Sequence, residues 1–148
     1  MILHLLVIMT NTIALIGAGG IGSRHLQSLS LLDGDYLIQV VDPSSESIVR
    51  AKELLSNESD GRIDNIKYYS DIESLDCNID VAIIAVTSAI RRKVTEDLLS
   101  KIDVANIIFE KVLFNKIEDY FFIQNLLQKK ECHLGLIVHD VLGNFIMI

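Results

Sequence analysis

Short apolar runs alternate along the chain with longer stretches of mixed character. Residues 12–16, 36–41, 79–86, 105–109 and 134–138 are mostly apolar, several of them β-branched, and Ile66 to Tyr69 is a shorter run that reads as a short strand. That pattern predicts strands buried on both faces, as in a parallel sheet. Between them, apolar positions recur three and four residues apart. The stretch 20–32 puts Ile21, Leu26, Leu29 and Leu32 on one side, 89–100 does so with Ile90, Val94, Leu98 and Leu99, and 116–130 with Tyr120, Ile123, Leu126 and Leu127. Each spacing predicts a helix with one face on a sheet. A further helix is expected over 44–56, with Ser44 or Ser45 as its N-cap. Asp33-Gly34-Asp35 reads as a turn and 57–64 as a polar loop. Regular alternation with short connections implies parallel pairing and right-handed crossovers. The expected class is α/β: one doubly wound, mostly parallel sheet of about six strands. No repeat, low-complexity tract or Gly/Ser/Pro-rich linker divides it.

The first strand runs into Gly17-Ala18-Gly19-Gly20-Ile21-Gly22. A G-x-G-x-x-G string is weak by itself, but this one leaves a strand and opens a helix, the context that a Rossmann dinucleotide fingerprint requires. The three glycines play separate roles. Gly17 turns out of the strand, Gly19 admits a pyrophosphate close to the backbone, and Gly22 lets the helix pack on the strand. The helix start, with Gly20 and Ile21, offers free N–H groups and partial positive charge to phosphate. About twenty residues on, an acidic side chain is expected at the end of the second strand, and Asp42 stands there. Its carboxylate suits two ribose hydroxyls and repels a 2′-phosphate, so NAD is favoured over NADP. The competing reading is a glycine turn beside a loop aspartate with no ligand.

Composition narrows the partners. The net charge of −7 argues against a nucleic acid and against an anionic membrane surface. The only basic cluster, Arg91-Arg92-Lys93, reads as the solvated face of a helix. Cys77 and Cys132 lack metal or redox spacing, which points to a reduced, cytoplasmic setting. His4, His25, His133 and His139 are scattered and read as surface or packing residues. The P-loop ending Gly-Lys-Ser/Thr, a Tyr-x-x-x-Lys pair and a His-Glu-x-x-His helix are all missing.

Three segments together resemble the Gfo/Idh/MocA oxidoreductases: the glycine loop continuing as Gly22-Ser23-Arg24-His25, the strand and turn running from Asp80 through Thr87-Ser88 to Arg91, and Ile107-Ile108-Phe109-Glu110-Lys111-Val112. The last is similar to the family's Glu-Lys-Pro motif, with Val112 in the place of the proline. Arg91 stands where the family has a histidine. The resemblance covers about residues 10–130 and implies an NAD(P)-binding domain with Thr87 and Ser88 beside the cofactor. It implies that Lys111 meets substrate and nicotinamide, with Glu110 in support, during hydride transfer to or from a sugar-like hydroxyl or carbonyl. A lysine at such a strand end can stabilise negative charge developing on a substrate oxygen. The wording around Glu110-Lys111 is also similar to a branch acting on surface-polysaccharide sugars, so a sugar or sugar nucleotide is the implied substrate.

The expected organisation is an apolar extension over 1–9, a Rossmann domain over 10–138 and an irregular tail over 139–148. Met9 is favoured as the natural start; an additional strand or a hydrophobic lead is the alternative. The family's enzymes are longer and carry a second α/β domain, through which they commonly dimerise. A truncated or frameshifted product is therefore expected here, with the oligomeric state left open. Two classes remain: the cofactor half of an oxidoreductase, and a non-catalytic NAD-binding or sensing module or inactive remnant.

Overall fold

The computed structural model describes residues 11–56, 65–76, 78–139 and 145–147. The apolar extension over 1–9, the polar loop over 57–64, Cys77 and residues 140–144 and 148 of the tail lie outside them. The order of elements is β1 (Asn11–Ile16), α1 (Gly20–Ser30), β2 (Tyr36–Val41), α2 (Ser45–Ser56), β3 (Ile66–Tyr69), β4 (Asn78–Ile84), α3 (Ser88–Lys101), β5 (Asp103–Phe109), α4 (Ile117–Lys129), β6 (His133–His139) and β7 (Phe145–Met147).

The strands form one sheet in the order β3-β2-β1-β4-β5-β6-β7. The first six are parallel, with Ile13 opposite both Ile38 and Val81, and Leu15 opposite Val40 and Ile83. Strand side chains alternate between faces, so the sheet has two cores. Ile13, Leu15, Ile38, Val40 and Ile83 pack under α1 and α2 with Leu26, Ala51 and Leu55. Ala14, Ile16, Ala82, Ile84, Ile107 and Phe109 pack under α3 and α4 with Leu98, Leu99, Ile123 and Leu127. Each such fully buried leucine or isoleucine contributes roughly 2 kcal/mol. The α/β class and the doubly wound sheet agree with the sequence expectation. Ser44 caps α2: its hydroxyl accepts from the Ser47 N–H at 3.2 Å.

Three expected core positions do not face the core: Ile21, Leu32 and Ile90 are exposed, whereas Tyr120, also partly open to solvent, packs its ring edge-on against buried Phe114 at 5.2 Å. Ile21 and Ile90 fall within the first four residues of their helices, where the helix overhangs the strand ends, and Leu32 lies beyond the end of α1. The end of the expected irregular tail also differs. Phe145–Met147 pairs antiparallel with β6, placing Val138 opposite Ile146, which satisfies backbone groups along the β6 edge.

Burial pushes the Cys132 thiol up to about 11. Only the thiolate attacks a disulfide reagent. In a Cys77→Ser variant at pH 8, native Cys132 is expected to react about a hundredfold more slowly than in the urea-unfolded chain. Equal rates would contradict its burial. Among the described residues no helix is long and apolar enough to cross a membrane, and no cluster of His, Cys, Asp or Glu is arranged to hold a metal.

Candidate functional site

Strand order reverses between β1 and β4, and ligands of open α/β sheets bind in the crevice beyond the carboxyl ends of strands at such a point. A cleft of about 420 Å³ opens there, lined by Gly19, Gly20 and Ile21 after β1, by Val86, Thr87, Ser88 and Arg91 after β4, and by Glu110, Lys111 and Val112 after β5. Three expected segments, distant in sequence, are thus brought together.

Gly17 has φ of +102°, a conformation in which a side chain is strained. Its N–H donates to the Val41 carbonyl at 2.8 Å, anchoring the turn to β2. A Cβ at Gly22 would lie 1.9 Å from the Gly17 carbonyl oxygen, so only hydrogen fits between helix and strand. A Cβ at Gly19 or Gly20 would meet nothing within 4 Å. These two border open space, the opposite situation from Gly22. Helix α1 has no side-chain cap and no acidic residue in its first turn, so its first N–H groups keep their positive potential toward the cleft.

Asp42 follows β2 and is half-buried. One carboxylate oxygen accepts from the Ala18 N–H in the glycine loop at 2.7 Å, and the other from the Ser44 N–H at 2.8 Å. A carboxylate has about four acceptor positions, so these two bonds orient it and leave capacity for hydroxyl donors.

Thr87 is the exposed N-cap residue of α3 and Ser88 donates to the Asn115 Oδ1 at 2.8 Å. Lys111 is exposed on the cleft, and the Lys111–Val112 peptide bond is cis. No partner holds the Lys111 ammonium among the described residues. Glu110, by contrast, is buried. It is only 3% exposed and its Oε1 lies 2.5 Å from His25 Nε2, itself 5% exposed. The two groups share a hydrogen bond between a carboxyl oxygen and a ring nitrogen. His25 is thus a packing residue with a defined polar partner on the site.

Arg91 corrects the solvated-face reading of the basic triplet. It is 3% exposed. Its Nη2 donates to the Val86 carbonyl at 2.6 Å, and Nη1 to those of Glu110 at 2.7 Å, Leu113 at 2.9 Å and Val112. Burial lowers its pKa, opposed by the Glu110 charge. Lys93 does face solvent, whereas Arg92 pairs with Asp119 at 2.7 Å and covers the Phe122 ring. The sequence carried one signal for Arg91, its position where the resembling family has a histidine; periodicity gave none.

A switch-point cleft with a glycine turn, an open helix start and a carboxylate after the second strand defines a dinucleotide-binding domain. Residues 11–138 match the Gfo/Idh/MocA family, described as an oxidoreductase family with an NAD-binding Rossmann fold, and the chain belongs to it. Similar solved structures include the WlbA dehydrogenase of Chromobacterium violaceum in complex with NADH and UDP-GlcNAcA. It is 17% identical with a TM-score of 0.68, over 86% of this chain and 34% of that one. Apo scyllo-inositol dehydrogenase of Lactobacillus casei is 17% identical with a TM-score of 0.64, over 86% and 36%. The transcriptional regulator Gal80p of Kluyveromyces lactis is 14% identical with a TM-score of 0.67, over 86% and 32%. At these identities the likeness concerns the fold. The chain spans about a third of the length of these structures. No curated protein matches the chain significantly. The open space at Gly19 and Gly20 and the oriented Asp42 carboxylate fit a dinucleotide.

Proposed function

We propose that this chain is the cofactor half of an NAD-dependent oxidoreductase whose substrate is a sugar or sugar nucleotide. The observation that carries the proposal is the meeting of the glycine loop and Lys111 in one cleft, with Asp42 tied to that loop. Gly19, Gly20 and the start of α1 receive the pyrophosphate, and Asp42 accepts from the adenosine ribose hydroxyls. The negative charge of Asp42 disfavours a 2′-phosphate at the same place, so NAD is preferred to NADP. Thr87 and Ser88 flank the other half of the cofactor. NAD, when bound, supplies the hydride acceptor or donor. Lys111 hydrogen-bonds the substrate oxygen and stabilises negative charge on it, while Glu110, held by His25, fixes the backbone from which Lys111 extends. The UDP-sugar named with the similar WlbA structure supports the substrate class.

Calorimetric titration with NAD and NADP tests the cofactor assignment. Asp42→Ala is expected to weaken NAD binding about tenfold or more, as for a lost hydrogen bond to a charged group, and to narrow the NAD-to-NADP preference. Equal affinity for both cofactors, untouched by the substitution, would overturn the ribose assignment. A second reading, a non-catalytic NAD-binding or sensing module, is favoured by the similarity to Gal80p, named a transcriptional regulator. NAD binding without turnover is expected of the chain alone under either reading. Hydride transfer by the isolated chain would exclude the second.

A further inference from the structure

Arg91 occupies an expensive position. It lies in the first turns of α3, at the positive end of that helix, and is almost wholly withdrawn from water. A buried guanidinium at a helix start is opposed by both desolvation and the helix dipole. Such a residue persists when several acceptors hold it, and here four carbonyls do. One is Val86, just past β4; the others are Glu110, Val112 and Leu113, past β5. Val86, Glu110 and Val112 all line the cleft. Arg91 therefore ties together two stretches of the site that no backbone ladder joins, since β4 and β5 end at Ile84 and Phe109.

The sheet order gives this tie a direction. Asp42 lies on the β2 side of the glycine loop, and the segments tied by Arg91 lie on its β4 and β5 side. With the adenosine ribose on Asp42 and the pyrophosphate on α1, the nicotinamide end falls between the segments that Arg91 joins. We propose that Arg91 is a positioning residue for the nicotinamide half of the dinucleotide, fixing the spacing of the Val86 and Glu110–Leu113 segments without acting on the adenosine half. The inference rests on the dinucleotide reading above. Lysine cannot replace Arg91 in this role. The planar guanidinium sends donors to both segments at once, whereas an ammonium is a single point of charge on a flexible stem.

The experiment compares the affinities of NAD and of ADP-ribose, which lacks nicotinamide, for the wild-type chain and for Arg91→Lys, Arg91→His and Arg91→Met. The ratio of the two affinities is the readout. A variant that is only partly folded weakens both ligands by the same factor, so general destabilisation cancels in the ratio. In the wild type, NAD is expected to bind more tightly than ADP-ribose. In each variant that advantage is expected to shrink about tenfold, or to vanish where it is smaller, the scale of disordering a binding loop. An unchanged ratio in the variants overturns the role of Arg91 and leaves the dinucleotide reading intact. Equal affinity of the wild type for both ligands overturns it as well. If the wild type binds neither ligand, the dinucleotide reading itself falls.

Discussion

Gly22→Ala is expected to destabilise the protein by about 3 kcal/mol or more, beyond the usual range for an added methyl group in a core, and to abolish dinucleotide binding. The added Cβ would lie 1.9 Å from the carbonyl oxygen of Gly17 and 2.8 Å from its carbon. Both are backbone atoms of a turn that is fixed twice over, through the Gly17 N–H on Val41 and the Ala18 N–H on Asp42. Neither can swing aside as a side-chain tip would, so α1 has to lift from the sheet. Leu26 lies on the same helix and is fully buried, and its packing is lost with the lift. Urea unfolding measures the cost. Gly19→Ala is the control. Its backbone is extended, at φ of −66° and ψ of −169°, and the space around a Cβ is open. It is expected to leave the unfolding midpoint almost unchanged while weakening dinucleotide affinity, because the methyl would occupy the approach proposed for the pyrophosphate. Similar unfolding midpoints for the two variants would refute the distinct roles assigned to these glycines.

Breaking the pair beneath the site is expected to cost nearly as much. His25→Leu leaves the Glu110 carboxylate buried without the ring that binds it, and Glu110→Leu removes the carboxylate from the ring. Each substitution is expected to destabilise by about 3 kcal/mol, the scale of removing one partner from a buried, hydrogen-bonded pair. The double variant is expected to cost clearly less than the sum, with a coupling of roughly 1–3 kcal/mol. A denaturant double-mutant cycle measures this. Strict additivity would mean that the 2.5 Å contact contributes nothing specific. The pair also links the glycine-loop helix to the Lys111 loop, so loosening it disturbs two sides of the cleft at once.

The site was legible in the sequence where chemistry is written locally. The turn at Gly17, the close packing at Gly22 and the acidic residue after β2 are backbone requirements with short, fixed spacings, and they survive without any knowledge of packing. Lys111 was legible only through resemblance, since no local pattern distinguishes it from a loop lysine. Arg91 was misread because apolar periodicity counts polar residues as solvent-facing, and His25, expected as a surface or packing residue, had no legible partner. Their partners are supplied by the sheet: Glu110 lies 85 residues from His25, and the farthest carbonyl on Arg91 lies 22 residues away. The same limit explains Ile21 and Ile90. A helical wheel assigns a face but not where the helix overhangs the strand ends. The central strands were read well because they are largely apolar on both faces, as two helical layers demand.

Asp42 has a consequence for how a ligand meets this protein. Its carboxylate is held at both oxygens before anything binds, by Ala18 on one side and Ser44 on the other. Rotamer freedom that a surface aspartate would surrender on binding has already been surrendered on folding. A hydroxyl arriving there joins an acceptor that is already aimed, on a scaffold where the second strand and the glycine loop share one anchor. On the proposed dinucleotide reading, recognition at Asp42 is therefore closer to docking on a fixed fitting than to closure around a guest.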